Sequence, residues 1–402
     1  MSEAVRILRI AAGGDGVGRL ADGRTVFIPR TAPGDEVEPT DIRLHARFAR
    51  ARIGRLLRHG PDRIEPPCRH YREDDCGGCQ LQHLNAAAQV SARRTIVGDA
   101  LRRIGKIDLP DPDLETGPAD LHYRAKITLT VDAGGARAGF HRVDEATGVF
   151  DLERCEIADE RLNQAWGALR SAARAWPPAV RQIVLRVGRD GAVHVVFRGP
   201  VRPDLMLLGS IGGFIWWEPP ASAAAPVSRL PDAAAIPPGV FEQVHPAMGE
   251  RVRRWALDQL AVRPGQHVWD LYAGIGETTT ELARAGATVE SVELDQEAVL
   301  VAERQPLPGV VRHAGRVEAW VGRLRSPDAV ITNPPRTGME GTALTGLLSA
   351  GPGVVVYISC DPATLARDLS RLRARYRVTA IRSFDLFPQT AHVESVVRLE
   401  QT

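Results

Sequence analysis

The chain has 402 residues, 44% of them hydrophobic and 25% charged, which is enough for two or three domains that each bury a core without disulfides. No apolar run approaches the length of a bilayer span, and residues Met1–Gly14 hold no apolar signal-like stretch, so a cytoplasmic protein without membrane contact is expected. The net charge of +2 argues against a uniformly basic nucleic-acid binder, but Arg43–Arg103 is conspicuously rich in arginine. Codon preference accounts for arginine over lysine better than it accounts for that clustering.

Residues 3–55 read as short strands separated by glycine turns, through Val5–Ile10, Gly13–Gly16, Arg24–Ile28 and Gly34–Val37. Such spacing predicts a small β-barrel. With Gly16-Val17-Gly18-Arg19 and Val26-Phe27-Ile28-Pro29, the segment resembles the TRAM domain, an OB-like RNA-binding barrel. A loop-rich segment, Pro61–Gln82, carries Cys68, Cys76 and Cys79, and a helical pattern covers Asn85–Ile104. Cys155 follows later in the chain. Four cysteines in a chain without a leader suit tetrahedral zinc or an iron–sulfur cluster, and their chemistry alone does not separate the two.

From Tyr123 to about Arg198, alternating stretches such as Lys126–Val131 and Val193–Phe197 predict an antiparallel sheet, and the proline- and alanine-rich residues 217–239 read as a linker. After Phe241, strands at His267–Leu271, Thr288–Glu293, Ala329–Thr332 and Val354–Ile358 alternate with helices. That order predicts a doubly wound, Rossmann-like α/β domain. Three domains are therefore expected, at 1–58, 59–240 and 241–402.

Asp270-Leu271-Tyr272-Ala273-Gly274-Ile275-Gly276 places a glycine turn between a strand and the helix beginning near Glu277, where backbone N–H groups can face a ligand. Glu293 ends the next strand, where an acidic side chain can accept ribose hydroxyls. The segment lacks the third glycine of a dinucleotide site and looks like motif I of S-adenosylmethionine methyltransferases. Asn333-Pro334-Pro335-Arg336 then closes the fourth strand.

Carbon 5 of uracil is a poor nucleophile until a thiolate adds to carbon 6, and a base must later remove the carbon 5 proton. Ser359-Cys360-Asp361-Pro362-Ala363-Thr364-Leu365-Ala366-Arg367-Asp368 offers a cysteine between strand and helix, where the helix dipole and an arginine are expected to lower its pKa. Phe387-Pro388-Gln389-Thr390-Ala391-His392-Val393-Glu394 offers a carboxylate.

Together these segments, with Phe241-Glu242-Gln243-Val244, resemble the RNA uracil-5 methyltransferase family of the TrmA and RumA type. The resemblance implies Cys360 as nucleophile and Glu394 as base. It implies cofactor contacts from Gln243, Tyr272, Gly274, Gly276, Glu277, Glu293 and Asn333, with S-adenosyl-L-methionine as cofactor. It also implies a 4Fe-4S cluster on Cys68, Cys76, Cys79 and Cys155, since Cys76-Gly77-Gly78-Cys79-Gln80 matches the family's cysteine segment. The chain departs from the family at Asn333, usually aspartate, at Arg316, usually small and polar or acidic, at Glu277, usually glycine or asparagine, and at Asp361, usually asparagine.

The expected protein is a monomeric, cytoplasmic enzyme that methylates uridine in structured RNA, 23S rRNA first and the transfer-RNA T-loop second. Two other readings stand beside it. A non-enzymatic RNA-binding protein with a degraded cofactor pocket is motivated by Arg316 and Asn333. An amino-group methyltransferase is motivated by Asn-Pro-Pro, but such enzymes carry an aromatic residue where Arg336 stands.

Overall fold

A computed structural model of the chain describes residues 4–145, 147–172, 176, 180–200, 214–218, 236, 237 and 239–402. The chain forms two compact units. The first comprises Met1–Ala92, Pro118–Pro238 and Pro388–Ala391, and the second Arg93–Gly117, Gly239–Phe387 and His392–Thr402.

The first unit begins with β1 (Val5–Arg6), β2 (Arg9–Ile10), β3 (Gly16–Arg19), β4 (Thr25–Ile28), β5 (Glu36–Leu44) and β6 (Phe48–Arg58). They make one six-stranded sheet in the order β1-β5-β6-β4-β3-β2. Val5, Ile7, Val26, Ile28, Val37, Ala49 and Ala51 turn inward to form its core. The expected strand Val5–Ile10 is split in two, and β5 and β6 form a longer antiparallel hairpin than the sequence indicated. Along β6 the small residues Ala49 and Ala51 are buried while Arg50 and Arg52 face outward, the period-two alternation of a half-buried strand.

The short helix α1 (Arg69–Glu73) follows Cys68, and α2 (Ala86–Ala100) continues into a π-helical turn over Leu101–Gly105. Lys106, in the left-handed conformation at φ 54, ends it. From Arg93 onward this helix, its π-helical turn and β7 (Leu114–Glu115) belong to the second unit. The first unit resumes with β8 (Lys126–Val131), β9 (Ala138–Gly139), α3 (Glu160–Ala172), β10 (Gln182–Val187), β11 (Val193–Arg198) and β12 (Phe214–Glu218).

Their sheet runs β12-β11-β10-β8-β9. Within the expected span Tyr123–Arg198 the strands β8 to β11 pair antiparallel, as expected, and β12, beyond that span, adds to the sheet parallel to β11. The expected linker at 217–239 starts inside β12, and its stretch 219–235 lies outside the described residues.

The second unit contains α4 (Pro246–Leu260), β13 (His267–Leu271), α5 (Glu277–Arg284), β14 (Thr288–Glu293), α6 (Gln296–Glu303), β15 (Val310–Ala314), α7 (Val317–Trp320), β16 (Ala329–Thr332), α8 (Gly341–Ala350), β17 (Val354–Ser359), α9 (Pro362–Leu372), β18 (Tyr376–Phe384) and β19 (Glu394–Gln401). These strands, with β7, form an eight-stranded sheet in the order β15-β14-β13-β16-β17-β19-β18-β7.

β15 through β17 are parallel, while β19 runs antiparallel to both β17 and β18. Every residue of β13 is buried, as a central strand covered on both faces requires. One face packs against Leu344, Leu347, Leu365 and Leu369, the other against Met248, Val252 and Leu282. The expected strand boundaries at His267–Leu271, Thr288–Glu293 and Ala329–Thr332 are met, and the fourth strand extends to Ser359. Among the described residues no helix is long and apolar enough to cross a membrane.

Candidate active site

A sheet of parallel strands presents its loops at the carboxyl ends of the strands, and the glycine turn sits there in the second unit. Tyr272, Gly274 and Gly276 take positive φ angles of 62, 57 and 80, so the chain doubles back tightly between β13 and α5. A Cβ on Gly274 would meet nothing within 4 Å, so the turn's backbone borders open space. Ala273 donates its N–H to Val292 O at 3.1 Å, tying this turn to the end of β14.

The Glu293 carboxylate accepts from the N–H groups of Gly274 and Asp295, each at 2.7 Å. Each of its oxygens keeps a further lone pair for an incoming hydroxyl. Beneath the turn, Thr279 donates to the buried Asp270 at 2.6 Å. Burial pushes the Asp270 carboxyl up to about 6.

Asn333 lies beside this turn, its N–H donating to Leu271 O at 3.2 Å. Gln243 packs against the backbone of Gly249, where an added Cβ would come within 2.8 Å of its side chain. Two of the departures from the family pattern find partners. Glu277 pairs with Arg253 at 2.8 Å, and Arg316, 62% exposed, reaches Glu340 at 3.0 Å.

Cys360 follows β17 and precedes α9. Ser359 faces Ser395 in the β17–β19 register, which sets Cys360 and Glu394 on neighbouring strand ends. Cys360 is half-buried, while Glu394 is only 2% exposed. Burial, opposed only by Arg336, pushes the Glu394 carboxyl up to about 8.

The expected lowering of the Cys360 pKa is not what the surroundings produce. Burial first, and then the Glu394 carboxylate, hold the thiol above its ordinary range, against the pull of the Arg336 guanidinium that hydrogen-bonds to it. Asp361 adds to the upward push while capping α9, accepting the Thr364 N–H at 2.8 Å. Aspartate caps a helix as well as the family's asparagine does.

Arg336 therefore acts on both Cys360 and Glu394, a role that its place in the Asn-Pro-Pro-Arg segment did not reveal. The loop that carries it is fixed from below. The fully buried Asp368 accepts the Met339 N–H at 2.8 Å and the Tyr357 hydroxyl at 2.7 Å through one oxygen. Arg367 grips the other oxygen at 2.8 Å and donates to Thr337 O at 2.8 Å. Gly338 passes so close, at φ 74, that a Cβ would stand 2.4 Å from Asp368. The Arg367-Asp368 pair was present in the sequence motif, but its contacts with a loop some thirty residues earlier were not readable there.

In the first unit, Cys68, Cys76, Cys79 and Cys155 are all buried and free. They share one core cluster and stand close enough for their charges to act on one another. Burial, chiefly, pushes Cys76 up to about 12 and Cys155 up to about 11. Polar groups are aimed at the sulfurs: Gly78 N–H at Cys76 Sγ at 3.4 Å, the Ile157 and Ala158 N–H groups at Cys155, and the Gln82 side chain at Cys79. Among the described residues no group of three or more His, Cys, Asp or Glu side chains is arranged to hold a metal ion.

The tRNA (uracil-5-)-methyltransferase family model matches residues 322–402, the stretch that contains Arg336, Cys360 and Glu394. The chain is 34% identical to the 23S rRNA (uracil(1939)-C(5))-methyltransferase RlmD of Acidithiobacillus ferrooxidans, over 99% of this chain and 97% of that protein. It is 32% identical to the protein of the same name from Aromatoleum aromaticum, over 96% and 97%. The structure of the Pyrococcus abyssi tRNA (uracil-54, C5)-methyltransferase in complex with S-adenosyl-L-homocysteine matches with a TM-score of 0.74 at 24% identity, covering 99% of this chain and 100% of that one. That likeness extends the common fold to the whole chain, and end-to-end relatives above 30% identity show that the chain belongs to the RNA uracil-5 methyltransferase family.

Proposed function

We propose that this protein methylates carbon 5 of a uridine in large-subunit ribosomal RNA, with S-adenosylmethionine as methyl donor. The observation that carries the reading is the placing of Cys360, Arg336 and Glu394 within electrostatic reach of one another, beside the glycine turn's sheet edge. Ribosomal RNA is favoured because the relatives that span the chain are named for it.

The Cys360 thiolate adds to carbon 6 of the uracil, and carbon 5 becomes the nucleophile. Arg336 stabilises the thiolate against burial. S-adenosylmethionine supplies an electrophilic methyl group when bound. Glu394 then takes the carbon 5 proton, and the Cys360–carbon 6 bond breaks to release the thiolate and the 5-methyluridine. Gly274, Gly276 and Tyr272 would shape the donor's bed, Glu293 would accept its ribose hydroxyls, and Gln243, Glu277 and Asn333 would border it.

The four buried thiols, three of them met by hydrogen-bond donors, fit a thiolate-ligated iron–sulfur group, and Cys68, Cys76, Cys79 and Cys155 would hold a 4Fe-4S cluster. Its part here is structural, tying the loop Cys68–Cys79 to Cys155. We also read residues 1–58 as the TRAM-like RNA-holding domain, 59–240 as the cluster and central RNA-binding domain and 241–402 as the catalytic domain of a cytoplasmic monomer.

The test is Glu394→Gln incubated with ribosomal RNA and S-adenosylmethionine. A protein–RNA adduct that survives denaturing electrophoresis is expected, and Cys360→Ala should form none and transfer no methyl. Full turnover by Glu394→Gln without an adduct would falsify this assignment.

A further inference from the structure

The first unit holds a cleft of about 530 Å3 that the methyl-transfer reading leaves without a role. Turns of the N-terminal sheet contribute Asp15 and Arg30 to its wall, strand β6 contributes Arg50, and the segment after β9 contributes Phe140, Arg142 and Asp144. Arg30 and Asp144 both hold a left-handed backbone at φ 61. Aspartate visits that region readily, but arginine does so only where its surroundings enforce it. Here they do: the Arg30 guanidinium lies 4.2 Å over the Tyr71 ring and donates to Cys76 O at 3.0 Å.

The charges in the cleft are mixed. Asp15 meets Arg50 through a single long contact of 3.4 Å, and Arg50 remains 54% exposed. Burial pushes the Asp15 carboxyl up, and the charge of Asp144 adds to that push against the pull of Arg50. A groove for phosphates alone gains nothing from two carboxylates, which repel phosphate. Carboxylates beside arginines in a cleft instead accept hydrogen-bond donors from a base edge, while arginine takes the backbone.

We propose that this cleft holds an unpaired guanine nucleotide of the RNA substrate, its N1–H and 2-amino group on Asp15 and Asp144, its ring against Phe140 and its phosphate on Arg50. Guanine is the base with two adjacent donors on its Watson–Crick edge, whereas uracil, cytosine and adenine offer one donor group each. The arginines and the aromatic ring match the stacking and phosphate contacts of single-stranded RNA sites. This inference rests on the reading of the protein as an RNA-modifying enzyme.

The test uses the full chain and labelled oligouridylates carrying one central guanosine, inosine or adenosine, with binding read by fluorescence anisotropy. Inosine lacks only the 2-amino group. The guanosine oligomer is expected to bind about tenfold more tightly than the inosine one. Asp15→Asn with Asp144→Asn should abolish that preference, and Arg50→Ala should weaken all three oligomers alike and reduce their salt dependence. Asp144→Asn alone, on a surface turn, keeps the test open if Asp15→Asn fails to fold. Equal binding of guanosine and inosine oligomers, or a preference that survives both substitutions, overturns the proposal. Methylation of RNA without guanine preference would sink the cleft assignment alone, and guanine preference without methylation would sink the proposed function alone.

Discussion

The carbonyl oxygen of Gln389 accepts the backbone N–H of Leu81 at 3.0 Å, joining the cysteine segment to the loop that leads into Glu394. Gln80 donates to the same oxygen at 3.2 Å, its side chain accepts the Ala391 N–H at 3.4 Å, and Gln389 itself stands at φ 68. Tyr123 holds the neighbouring Pro388 carbonyl at 2.9 Å. Cys79 immediately precedes Gln80, so whatever fixes the cysteines also fixes residues 388–391.

Cys79→Ala is therefore expected to raise hydrogen exchange at Leu81 and Ala391 and to lower methyl transfer, although Cys79 touches neither reactant. Unchanged exchange at both amides, in protein shown to have lost the metal group, would separate the cysteines from the Glu394 loop.

Protein purified without oxygen should be brown, with iron and sulfide at about four each per chain. Removing the iron with a chelator should lower the thermal midpoint, because a thiolate-bound group that ties distant segments contributes to folding. Stoichiometric zinc in a colourless preparation would decide for a tetrahedral site instead.

Asp368→Asn replaces a buried carboxylate that accepts from Met339, Tyr357 and Arg367, and a loss of about 2–3 kcal/mol is expected in urea unfolding. The loop that bears Arg336 should loosen with it. Alkylation of Cys360 should then require higher pH than in the parent protein, since Arg336 is the group that favours the thiolate. Gly338→Ala should act in the same direction, because its φ of 74 and the 2.4 Å approach to Asp368 leave no room for a Cβ.

Glu394 has a carboxyl pKa raised by burial from the ordinary 4.5 to about 8. Between those two values the folded protein binds a proton that the unfolded chain has released. The contribution to stability is thus full below pH 4.5 and is lost as pH rises to about 8, with a slope of at most about 1.4 kcal/mol per pH unit. Glu394→Gln should remove that segment of the stability profile. Methyl transfer should show the opposite trend and climb through pH 8, because only the ionised carboxylate can take the carbon 5 proton. A flat rate between pH 6 and 9 in stable protein would count against Glu394 as the base.

Arg253 offsets the charge of Glu277 at the first turn of α5. Arg253→Ala should change folding stability by less than about 1 kcal/mol, as expected for a partly exposed pair. It should nonetheless weaken S-adenosylmethionine binding several-fold in calorimetry, since the donor's carboxylate would approach an unbalanced Glu277. Equal affinity in the two proteins would place the donor away from that turn.

Local pattern determined much of this protein. The alternation of β13, β14, β16 and β17 with helices and the glycine turn at Gly274–Gly276 are short-range features, fixed by side-chain periodicity and by backbone conformations that few residues adopt, whereas Cys360 and Glu394 were singled out by the resemblance of their segments to a family. Those short-range features were legible in the sequence because their physical causes lie within a few residues.

Contacts between segments far apart in the chain were decided only by the fold. Arg336 reaches Cys360 because Asp368 and Arg367 hold its loop, and β12 lies parallel to β11, a relative strand direction that no local propensity encodes. The sign of the Cys360 shift was decided there too: helix dipole and arginine were visible in sequence, but the burial of Glu394 beside the thiol was not. Desolvation depends on everything that excludes water from a group, and that is a property of the packed sheet rather than of any segment within it.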